Sequence, residues 1–169
     1  MYLPLCCGNM LSETNEHAES TSFLEELQQV FDPMSPKATV YRVASKWSLC
    51  DFESGQLLPT AFRMKQEDFE KGDGLSVIVH EHCPSSDEVY DLTGRSSTRA
   101  VGALGVGAIR ELDLGLDVVQ DTEFHAGIRG LPYTDDENDL VTLQKVDDCA
   151  EALAEISTIC SGTPKVPIE

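Results

Sequence analysis

The chain has 169 residues and a mass of 18.5 kDa, long enough for one ordinary domain and short for two. With 41% hydrophobic and 25% charged residues it is globular in composition, which argues against a fully disordered chain. Thirty acids against twelve bases give a formal net charge of −18, which sets the chain against unaided binding to nucleic-acid phosphates or to an anionic membrane.

The acidity is concentrated at the two ends. Residues 1–36 hold six acids and no base, and residues 135–169 hold nine acids and two bases. The opening Met1–Gly8 is apolar but lacks a basic stretch, so no secretory signal is expected, and no run reaches the length of a membrane span. The cysteines stand at 6, 7, 50, 83, 149 and 160 with no CxxC pair. They read as free thiols in a reducing cytoplasm.

In chain order, residues 1–21 read as a loose acidic segment, 22–162 as a single α+β domain and 163–169 as a tail. Ser22 and Glu25 form a capping-box pattern, and Phe23, Leu24, Leu27, Val30 and Phe31 follow at helical spacing until Pro33. The stripe of Phe23, Leu27 and Phe31 is a candidate docking face. Thr39–Trp47 reads as a strand, Leu57–Met64 as a second extended piece confined by Pro59 to an edge or a strand start, and Gln66–Gly72 as a short polar link with a helical alternative. Leu75–His80 is the clearest strand, and Pro84–Arg95 is a loop or short helix. Ala100 to about 106 reads as a buried strand that passes into a helical turn through Leu112, and Leu116–Gln120 as another strand. From about Asn138 to Cys160, apolar residues spaced by three or four predict a long amphipathic helix, stopped by Gly162 and Pro164. The fold class expected is α+β: a small central sheet, mostly antiparallel or mixed, flanked by an N-terminal and a long C-terminal amphipathic helix.

Four constellations could carry chemistry. His80-Glu-His82-Cys83 places two histidines on one face of an extended segment with a thiol nearby, but no second spaced cluster completes a ligand set, so no metal and no cofactor is expected. His125-Ala-Gly127-Ile-Arg129-Gly130 sets an exchangeable proton and a forked cation in a glycine-bearing loop, a candidate anion site. Gly102, Gly105 and Gly107 precede a helical turn but have neither the spacing nor the lysine of a phosphate loop, so they read as close strand packing. Arg42, on the first strand and followed by serines, resembles the arginine of ADP-ribosyltransferase-like folds. That family's further acid and its glycine-rich nicotinamide pocket have no counterpart located in this chain.

A broader resemblance covers residues 50–133. Gly55-Gln-Leu-Leu-Pro-Thr-Ala-Phe-Arg63, Gly74-Leu-Ser-Val77, Val106-Gly-Ala-Ile109 and His125–Pro132 are similar in order and spacing to a group of short bacterial hypothetical proteins with no established activity. It implies a bacterial origin. From the acidic ends, the function expected is a non-enzymatic interaction module, an accessory, adaptor or inhibitor subunit of antitoxin or immunity type, whose protein partner has a basic surface. The alternative is a small enzyme or ligand-binding domain with an anion site at His125 and Arg129.

Overall fold

The computed structural model describes residues 34–164, so the docking stripe of Phe23, Leu27 and Phe31 lies outside the described residues. Six strands form the central sheet: β1 (Thr39–Ala44), β4 (Leu75–Val79), β5 (Ala100–Gly105), β6 (Asp117–Gln120), β7 (His125–Arg129) and β8 (Thr158–Gly162). Their order is β6-β7-β4-β1-β5-β8, and every pairing is antiparallel. The short strands β2 (Cys50–Asp51) and β3 (Gln56–Leu57) make a separate hairpin. Among the described residues the helices are α1 (Gln66–Lys71), α2 (Ser86–Thr93), α3 (Val106–Glu111) and α4 (Leu140–Glu155), with 3₁₀ turns at Trp47–Leu49 and Pro59–Phe62. The fold class is therefore α+β, as the sequence suggests.

Alternation along the strands sorts side chains to two faces. On one, Val40, Ala44, Leu75, Val77, Leu104, Val118, Ala126 and Ile128 are buried with Val106 and Ile109 of α3 and with Cys149, Ala150, Leu153 and Ala154 of α4. On the other, Tyr41, Val43, Ile78 and Val101 pack under Val89 of α2. Helix α2 begins at a capping box: Ser85 Oγ accepts from the Glu88 N–H while the Glu88 carboxylate accepts from the Ser85 N–H. That backbone N–H, then the Ser85 hydroxyl and His82, hold the Glu88 carboxyl down at about 2.

Several sequence readings are corrected. The C-terminal helix ends at Glu155, and Cys160 belongs to β8, because the chain turns after Ser157 to add an edge strand beside β5. The piece Leu57–Met64 is mostly the 3₁₀ turn Pro59–Phe62, since Pro59 opens a turn and not a ladder. His125–Arg129 is a strand and not a loop. Gly127 is required at its middle because a Cβ there would lie 2.0 Å from the Asp73 carbonyl oxygen. Gly130, at φ +86°, turns the chain out of the sheet. Gly102 and Gly107 serve close packing: a Cβ on Gly102 would meet Leu57 at 2.6 Å, and one on Gly107 would meet the Pro36 carbonyl oxygen at 2.8 Å, whereas Gly105 is not so constrained, its Cβ meeting Ala108 at an ordinary 3.7 Å.

The cysteines also divide differently. Cys83 and Cys160 form a disulfide with Cα atoms 6.1 Å apart. Cys50 and Cys149 are free, and burial pushes both thiols up, away from thiolate reactivity. Spacing hid the pair because 77 residues separate its members and only the sheet order brings them together. The bond removes six free thiols as an argument for a reducing compartment. No helix among the described residues is long and apolar enough to cross a membrane.

Candidate functional site

The two halves of the sheet are joined unequally. β1 pairs with β5 through six residues, from Thr39↔Gly105 to Ala44↔Ala100. With β4 it pairs only at Val40↔Val79 and Tyr41↔Ile78. Continued in register, the ladder would place Arg42 opposite Val77 and Val43 opposite Ser76. Instead the strands part, and the Arg42 side chain takes over the bonding: Nη1 donates to the Ser76 carbonyl at 2.7 Å and Nε to the Ala61 carbonyl at 2.9 Å. A guanidinium is suited to this, because its fixed fork satisfies two carbonyls and leaves further N–H groups directed elsewhere.

A cleft of about 910 Å³ opens at this parting. Its walls carry the cations Arg42, Lys46, Arg63, Lys65 and Arg95 against the acids Asp68 and Asp73. Five of the twelve basic residues of a strongly acidic chain therefore line one concavity. Arg63 also pairs with Asp147 of α4. Burial, then the charge of Arg95, pulls Arg42 down to about 10, with Asp68 acting in the opposite direction. Arg42 stays protonated at neutral pH, and its partly buried charge beside a second cation makes the cleft floor attractive to an anion.

Ser76 and His125 stand between this cleft and a smaller one of about 340 Å³ that runs under Leu92 and Thr93 of α2. The alternation that buries Leu75 and Val77 turns Ser76 to the opposite face, towards β7. There Ser76 Oγ lies 2.8 Å from His125 Nε2, and His125 Nδ1 lies 2.7 and 2.8 Å from the two oxygens of Asp121. Asp121 is held at the β6–β7 turn, where its N–H and that of Thr122 donate to the His125 carbonyl. With the carboxylate ionised, the neutral ring carries its proton on Nδ1 and offers Nε2 as acceptor to the Ser76 hydroxyl. The three groups are all partly exposed. The result is a hydroxyl, a base and an orienting acid in line.

Of the sequence candidates, His125 is in this site. Gly127 lies behind it in the strand, where it permits the close approach of Asp73. Arg129 is at the far end of β7, opposite Asp117 and beside Gly74, and Gly130 turns the chain beyond it. Four residues of strand span about 13 Å, so His125 and Arg129 do not form the joint pocket that a loop allowed. Ser76, Asp121 and Arg95 escape sequence reasoning. Ser76 did leave a signal, as a hydroxyl inside the apolar run Leu75–Val79. His80 and His82 lie at the outer end of β4, their rings 4.4 Å apart, but Cys83 is withdrawn from any ligand set by its disulfide.

No family model, no curated protein and no solved structure matches this chain.

Proposed function

We propose that the parted sheet is a binding and reaction site for a phosphate-bearing small molecule of the dinucleotide class. The observation that carries this reading is the partly buried Arg42 guanidinium, fixed between β1 and β4 and facing, with Arg95, a cleft whose cations outnumber its acids. The likeness of Arg42 to the arginine of ADP-ribosyltransferase-like folds makes a nicotinamide dinucleotide the first ligand to test. Arg42 and Arg95 bind the phosphates. His125, oriented by Asp121, accepts the Ser76 hydroxyl hydrogen, which places a polarised Ser76 oxygen at the edge of the cleft.

The test is titration of the full chain with NAD⁺, ADP-ribose and inorganic pyrophosphate. It is followed by calorimetry and by fluorescence of the sole tryptophan, Trp47, which lies between the cleft residues Lys46 and Leu49. Saturable binding of a diphosphate ligand is expected, weakened at least about tenfold by Arg42→Met, which corresponds to about 1.4 kcal/mol. Failure of all three ligands to saturate at millimolar concentration overturns the reading.

A second reading keeps the protein as an acidic module for a partner with a basic surface. It is favoured by Leu140 and Val141, which are 72% and 69% exposed at the start of α4, next to the acidic run that includes Asp135, Asp136 and Glu137. Substituting both with serine and measuring co-purification from native cells tests it: an unchanged set of partners removes this surface.

A further inference from the structure

We propose that His80, His82 and Glu88 form a zinc-binding site at the turn between β4 and α2, apart from the cleft and independent of its function. One potential ligand atom from each of the three lies within 4.8 Å of the other two. Sequence spacing offers only the two histidines with Cys83; the fold replaces that thiol with a carboxylate six residues beyond His82, delivered by the first turn of α2.

His80 and Glu88 are each held by a constraint of their own. His80 closes the end of β4, and its Nδ1 lies 3.0 Å from the His82 carbonyl oxygen. A ring that donates from Nδ1 presents Nε2 with its lone pair outward, the arrangement that metal-binding imidazoles adopt when a carbonyl fixes their tautomer. Glu88 is oriented by the helix cap: its Oε2 accepts from the Ser85 N–H and from the Ser85 hydroxyl, both at 2.8 Å. The other oxygen, Oε1, is turned to His82 Nε2 at 3.2 Å. The segment between them is pinned by the bond from Cys83 to Cys160 on β8. Little ordering therefore remains for a metal to impose.

Two imidazoles and one carboxylate are a donor set that zinc accepts with water in the fourth position, and the exposure of His82 and Glu88 leaves that position open. The surrounding field assists, since a chain of net charge −18 concentrates cations at its surface. An ion here would tie the end of β4 to the start of α2.

The experiment uses the full, oxidised chain without a histidine tag, stripped with a chelator and titrated with zinc against a chromophoric competitor. Melting curves are recorded on the same samples. Expected are about one zinc per chain, micromolar affinity and a raised melting temperature. Glu88→Gln, which can still cap α2, is expected to weaken binding at least about tenfold, and the double variant His80→Ala, His82→Ala to remove it. Binding that survives in His125→Ala and in Cys83→Ser, Cys160→Ser assigns the ion to this cluster. No saturation below about 100 µM zinc, or equal binding by the folded double variant, overturns the site. Loss of nucleotide binding in the cleft leaves the zinc result unaffected, so the two readings fail separately.

Discussion

The two long sides of β1 make opposite seams. Towards β5, six residues pair, Gly102 lets Leu57 press onto the strand, and Val101 and Leu104 are buried to either face. Towards β4, pairing stops after two residues and a side chain completes the bonding. Backbone ladders make a sheet continuous. A single arginine that bonds one β4 carbonyl, Ser76, and one carbonyl of the 3₁₀ turn, Ala61, holds these elements together while leaving space for a ligand. The contrast shows how a cleft can be built into the middle of a sheet while a side chain bonds the Ser76 carbonyl at its edge. The disulfide completes the design, since Cys83 follows β4 and Cys160 lies on β8, so the bond spans the two halves that the open seam divides.

Breaking that clamp is expected to have the largest effect. Cys83→Ser with Cys160→Ser frees a long loop and should cost about 4 kcal/mol in denaturant unfolding, with amide exchange rising first at Tyr41 and Ile78 on the short ladder. Equal exchange at both seams would make the open seam no weaker than the closed one. Next comes the closed seam itself. Leu104→Ala removes a side chain 1% exposed in the main core and should cost about 2–5 kcal/mol, while the surviving folded molecules bind ligand as before. Arg42→Met inverts that pattern. It should cost about 1–3 kcal/mol, by leaving the Ser76 and Ala61 carbonyls without their donor, yet produce the greater loss of ligand affinity.

Periodicity made the strands on both sides of the seams legible and left the opening between β1 and β4 hidden. The apolar runs of Leu75–Val79 and Ala100–Gly105, and the spacing along α4, follow from burial, which acts residue by residue along the chain. Arg42 and His125 stood out by residue type, and each does reach the cleft. Their partners did not, because Ser76 and His125 meet only through the register of β4 on β7, and Cys83 and Cys160 only through the strand order. Register and strand order are set by the whole sheet and not by any window of sequence. The His125–Arg129 segment is a strand and not a loop for the same reason: Gly127 permits a turn in sequence terms, whereas in the fold it answers to Asp73 on a neighbouring segment.

The smallest expected effect sharpens the comparison at the floor of the open seam. Ala61, whose carbonyl receives Arg42 Nε, lies in the 3₁₀ turn Pro59–Phe62, and this turn packs against α4. Helix α4 is capped by Asp139, whose carboxylate accepts from the Thr142 N–H. The Thr142 side chain, then that N–H, hold the Asp139 carboxyl below the usual carboxylate range, with Lys145 adding to the effect. A carboxyl lowered in the folded state contributes stability above its unfolded value, near pH 4, and that contribution disappears as pH falls through the lowered folded value. Acidification below pH 4 should therefore loosen the start of α4 and, through the 3₁₀ turn, the Arg42 anchor, before the β1–β5 ladder responds. Asp139→Asn caps the helix without titrating, so its melting temperature should fall less than the parent's between about pH 4 and pH 3, while the two agree more closely at neutral pH. Parallel falls would place the acid sensitivity elsewhere, at Asp51 for instance, whose carboxyl is also held low by Ser54 and the Glu53 N–H within the β2–β3 turn.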